Sequence, residues 1–141
     1  MTYQEIKDLY NCLDTETRWK FLFYLFGYRR SENNGFKKFV NGQYTWYRPD
    51  GSVIYLWKGQ TFPFFETKSS PVWFRDGVSK KLENNDFSFA VRESLKEYAE
   101  DNGIVDKLLD PMFYFKLPFV EQVFILYLAY KKLDNSGENH V

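Results

Sequence analysis

The sequence predicts an α+β domain, an antiparallel β-meander of three to five strands packed against about four helices in the order ααβββ(β)αα. Apolar residues recur at intervals of three and four toward both ends of the chain, which is the helical period. Between those stretches lie short β-rich runs separated by Asn41-Gly42 and Pro49-Asp50-Gly51, both strong reversal signals. No repeat, low-complexity run or linker breaks the pattern, so residues 1–134 read as one domain and residues 135–141 as a flexible polar tail.

The first helix is expected over residues 2–13, where Tyr3, Ile6, Leu9, Tyr10 and Leu13 share one face. Asp14 is placed to cap a second helix over 15–28. Trp19, Leu22, Phe23 and Phe26 line one side of that helix, and Phe21, Tyr24 and Leu25 make it apolar nearly all round. Residues 36–40, 43–48 and 52–57 follow as strands, and 61–66 and 72–75 as edge strands, because Pro63 and Pro71 exclude central positions. Asn84-Asn85-Asp86 then caps a helix over 87–102 whose inner stripe is Phe87, Val91, Leu95 and Tyr98, with Gly103 closing it. A short element over 104–110 stops at Pro111, and Pro118 opens a last helix over 119–133.

Composition limits the chemistry. The chain holds fifteen Phe, eleven Tyr and four Trp, but its single histidine is His140 and its single cysteine is Cys12. Histidine supplies most proton transfer near neutral pH, and with cysteine it supplies most zinc ligands. A Ser-His or Cys-His nucleophile therefore lacks its base, and no CxxC, HExxH, EF-hand, Walker or dinucleotide motif occurs. Asp106 and Asp110, or Glu66 and Asp76, read as solvated surface acids rather than as a magnesium site or a hydrolytic pair. The expectation is a protein that is not an enzyme and needs no cofactor and no metal. Cys12 lies off the apolar stripe of its helix, with no partner for an intrachain disulfide. With no basic leader and no apolar run near the ~20 residues a bilayer needs, a cytoplasmic protein with no membrane contact is expected.

Net charge is zero, yet the charge is unevenly placed. Residues 28–48 carry a balance of +4 and residues 83–110 one of −5. Two partner-binding surfaces follow. Glu93, Glu97, Glu100 and Asp101 form an acidic face on the capped helix that suits a basic protein partner, such as a basic toxin or nuclease. Tyr44, Trp46, Tyr47 and Arg48 form a basic aromatic strand that either stacks bases of single-stranded nucleic acid or packs under the helices. Protein binding is the better-supported reading, because interfaces concentrate Tyr, Trp, Phe and Arg.

No motif identifies a family. In size, motif poverty and aromatic content the chain resembles the small bacterial proteins that neutralise a cognate toxin by tight binding, such as immunity proteins of contact-dependent inhibition systems. The resemblance covers no defined stretch. It implies a non-enzymatic inhibitor, an immunity or antitoxin type, that occludes a toxin. The alternatives are a phage-encoded anti-defence inhibitor, and a weak single-stranded nucleic-acid-binding module or adaptor subunit. The chain is expected as a monomer or homodimer.

Overall fold

The computed structural model describes residues 1–30, 43–57 and 72–136. The chain divides into two compact units, one formed by Met1–Leu13 with Thr67–Val141 and the other by Asp14–Glu66.

In the first unit, helix α1 spans Tyr3–Cys12 and begins at a capping box. The Thr2 hydroxyl accepts from the Glu5 N–H at 3.2 Å, and the Thr2 N–H donates to the Glu5 carboxylate at 2.7 Å. Helix α3 spans Val72–Lys81 and α4 spans Asn85–Asp101, the latter capped by Asn84, whose side chain accepts from the Phe87 N–H at 2.9 Å. A 3-10 turn over Val105–Leu109 and the one-turn helix α5, Phe113–Lys116, lead into α6, Phe119–Ser136.

Helix α6 is the centre of this unit. Every residue from Gln122 to Ala129 is buried, so it is enclosed on all sides rather than amphipathic. It packs chiefly on α4 and then on α1. Aromatic rings fill the seam: Phe124 meets Tyr10 at 5.3 Å, Tyr3 at 5.9 Å and Tyr98 at 6.4 Å between centroids. Phe74 of α3 and Phe119 are fully buried and meet edge to face at 4.8 Å.

One buried polar side chain ties the entry to this helix. Gln122 Nε2 donates to the Leu117 carbonyl at 2.7 Å, and the buried Tyr114 hydroxyl donates to the Gln122 carbonyl at 2.9 Å. Backbone groups that would be stranded at the α5–α6 corner thereby find partners.

The second unit holds α2, Thr15–Leu25, and a small antiparallel ladder of β1 (Arg29–Arg30), β2 (Gln43–Tyr47) and β3 (Val53–Trp57). Asp14 caps α2 as expected, accepting from the Thr17 N–H at 2.7 Å. Gly27, at φ +88°, ends it in a Schellman motif. The Tyr28 N–H donates to the Phe23 carbonyl and the Gly27 N–H to the Tyr24 carbonyl. The rings of Phe23 and Tyr28 stack at 5.0 Å across that cap. Pro49-Asp50-Gly51 makes the β2–β3 reversal, with Gly51 at φ +90° and the Asp50 carboxylate accepting from the Ser52 N–H.

The α+β expectation is corrected. Among the described residues the molecule is mainly helical, and strands make up only a short ladder in one unit. A meander of three to five strands layered under about four helices is not its architecture. The reason is physical: α6 is apolar all round, so α1 and α4 bury their stripes on it and need no sheet face. Residues 72–75 open helix α3 instead of forming an edge strand. Phe74 and Val78, four apart, are its buried pair, and a preceding proline is as compatible with a helix start as with a strand edge. Helix α2 ends at Leu25, short of the expected residue 28, and Arg29–Arg30 form a two-residue strand after it. The last helix continues past residue 133 to Ser136. The strands expected over 36–40 and 61–66, the Asn41-Gly42 turn and the chain from 137 onward lie outside the described residues.

Candidate interaction surface

The acidic residues of α4 divide by where the helix turns them. Glu97 forms an ion pair with Lys132 of α6. Asp101 accepts from Lys7 Nζ at 2.9 Å and from the Tyr3 hydroxyl at 3.0 Å, both on α1. These two acids clasp α4 to its neighbours. The hydrogen bonds from Lys7, then Tyr3, hold the Asp101 carboxyl below the usual carboxylate range. Tyr98, buried on α4, has the Glu121 carboxylate of α6 as its principal charged neighbour. Burial, then the Glu121 charge, pushes the Tyr98 phenol up to about 12. Burial and Asp101 push Tyr3 upward as well. Both phenols stay neutral at pH 7 and act as hydrogen-bond donors, not as proton acceptors.

Glu93 and Glu100 are exposed and have no ion-pair partner among the described residues. They share a stripe with Phe89 and Lys96, at successive spacings of four, three and four, which is one line along a helix. Phe89 is 59% exposed. The helix also carries no basic residue in its last turn, so Glu100 stands at the negative end of the helix dipole, with Lys96 four residues before it on the same stripe. This outward stripe holds an aromatic ring and two carboxylates for which the described residues show no ring contact or ion pair.

The basic aromatic strand is placed differently. Trp46 is 5% exposed, packed against Phe23 at 4.8 Å and Tyr24 at 5.4 Å. Its indole therefore belongs to the packing of the second unit, and no free face remains for stacking a base. Tyr47 is half-buried and pairs with Arg29 and Val53 in the ladder, while Arg48 is exposed and donates to the Ser52 hydroxyl at 3.2 Å. Tyr44 pairs with Leu56, and its side chain lies outside the described residues. Among the described side chains of this unit, Tyr24 is an accessible aromatic, 48% exposed with the Arg29 guanidinium 5.9 Å above its ring.

The acidic set and the aromatic set thus belong to different units. Sequence reasoning missed Phe89, although the spacing to Glu93 was enough to place it on the solvent face. It also missed Lys7 and Lys132 as clasps, and no local signal could have found pairs so far apart in sequence.

Among the described residues no three His, Cys, Asp or Glu side chains converge as a metal site, and no helix is long and apolar enough to cross a membrane. No protein-family model, curated protein or solved structure matches the chain.

Proposed function

We propose that the chain is a non-enzymatic binding protein, an inhibitor of the immunity or antitoxin type, which covers a basic protein partner with the outward face of α4. One observation carries the reading: the half-exposed ring of Phe89 stands in line with Glu93 and Glu100, and the three have no ring contact or ion pair among the described residues. An aromatic anchor beside carboxylates suits an arginine- or lysine-rich surface, since the ring face attracts a cation and the carboxylates accept its N–H groups. The charges would speed encounter, and the buried ring would slow dissociation. The choice of a toxin as partner comes from the general resemblance in size and composition, not from this geometry.

The test is affinity capture from the native cell with the wild-type chain and with a Phe89→Ser/Glu93→Lys/Glu100→Lys variant. A basic protein should be retained by the wild type and lost by the variant. With that partner purified, the association rate should fall about tenfold or more on charge reversal and lose most of its salt dependence. Equal retention and unchanged kinetics would eliminate this face as the contact.

A further inference from the structure

We propose that the outward face of α4 pairs with the same face of a second copy of the chain, the two helices running antiparallel about a two-fold axis. The proposal goes beyond the reading above and does not depend on it. Phe89, Glu93, Lys96 and Glu100 follow one another at spacings of four, three and four, the spacing of the seam positions in a two-helix coil. All four are exposed, and α4 turns its buried residues Phe87, Val91, Ser94 and Tyr98 the other way. A line of side chains along one helix is matched by a line along another.

The charges on this face alternate rather than accumulate. Glu93, Lys96 and Glu100 read minus, plus, minus, and Arg92 beside them is a further exposed cation. None of these four has an ion-pair partner among the described residues. Glu97 and Asp101, which do have partners, take no part. Lys96 lies within one turn of Glu93 and of Glu100, but pairs along one exposed helix are weak and leave the ammonium available.

Self-complementarity fixes the orientation and the register. A parallel pair would set Glu93 against Glu93 and Lys96 against Lys96, like charge on like charge. In an antiparallel pair with the two-fold level with the Ser94–Leu95 bond, Glu93 lies against Lys96 of the second copy, and Lys96 against its Glu93. The same axis sets Phe89, 59% exposed, level with Glu100, whose aliphatic stem covers the ring, and symmetry repeats the contact. Antiparallel packing also brings Glu100 from the negative end of its own helix toward the positive end of the other. The seam runs about 16 Å from Phe89 to Glu100, and a contact of that length buries less than the ~800 Å² per partner of a stable interface. The pair is therefore a weak, reversible association of the free protein, with a dissociation constant of about 0.1–1 mM.

Charge exchange across the seam tests the proposal, with the full chain in sedimentation equilibrium at up to about 1 mM protein. The wild type should show a monomer–dimer equilibrium that weakens with added salt. Glu93→Lys and Lys96→Glu, each alone, set like charges against each other and should weaken self-association about tenfold or more. Mixed together, the two variants face cation with carboxylate in both central layers, and they should form a heterodimer as tight as the wild-type pair. The double exchange Glu93→Lys/Lys96→Glu should restore the homodimer, and Phe89→Ser should weaken it. Thermal melting of each variant confirms folding, which exposed positions leave intact. A wild type that stays monomeric throughout, single variants that associate as the wild type does, or a mixture no more associated than its components would each overturn the proposal. Self-association unchanged in both single variants, together with partner capture lost in the triple variant above, rejects the self-pairing alone.

Discussion

Glu97 and Asp101 on one edge of α4 are bound to Lys132 of α6 and to Lys7 and Tyr3 of α1, whereas Glu93 and Glu100 on the outward edge meet no such partner among the described residues. The same residue type, on the same helix, serves assembly on one side and is left to solvent on the other. A row of acids in a sequence is therefore not one surface. Helical rotation splits it into a structural half and a half available for recognition.

The comparison is broken most forcefully from the inside. Phe124 carries the seam that the clasps surround, touching the rings of Tyr3, Tyr10 and Tyr98. Phe124→Ala should cost about 3–5 kcal/mol in urea denaturation. A loss near that of a surface substitution would mean that the inner edge is not the structural one.

The clasps should come next, with an effect of pH whose sign is set. Asp101 is held below its ordinary pKa, so its contribution is present above the unfolded value near ~3.9 and is lost as pH falls through the lower folded value. Its side chain is 33% exposed, so Asp101→Asn should cost no more than about 1 kcal/mol at pH 7 and should flatten the acid limb of stability. Tyr98 works at the other extreme. Its phenol is raised to about 12, so its contribution is complete below ~10 and disappears as pH rises from there to the folded value. Tyr98→Phe should shrink the alkaline loss of stability in melts recorded across pH 9–12 without abolishing it, because Tyr3, Tyr114 and Tyr127 are raised as well.

The smallest effect belongs to the outward edge. Glu93→Gln/Glu100→Gln should leave the unfolding free energy in urea within about 0.5 kcal/mol of wild type, or raise it slightly by relieving repulsion at the helix end. A large loss of stability would show that these acids are structural after all, and would remove the distinction on which the binding face depends.

Local chemistry was the legible part of the fold. Asp14, Asn84 and Gly103 do at the helix ends what short-range hydrogen bonding requires, and Pro49-Asp50-Gly51 reverses the chain. Layering was not legible in the same way. The uncharged run from Gln122 to Tyr130 was enough to mark α6 as a helix buried on every side, but taking it as one more helix on a sheet left the sheet to do the work of a core. Residues 72–75 failed for another reason, since four residues beside a proline fit strand and helix alike until Val78 supplies the period. For the candidate site, composition and spacing located the acidic helix. They could not reveal that Lys7, 94 residues from Asp101, would claim part of it, because such pairs follow from topology.

The unit built around α6 draws α1 from one end of the sequence and its remaining helices from the other. The hydroxyl of Tyr10 reaches the Val120 carbonyl across 110 residues of chain. On a ribosome adding ~5–20 residues per second, α1 therefore emerges roughly 5–20 seconds before the segment it will rest on. During that delay its apolar stripe is an unprotected target for chaperones and for self-association.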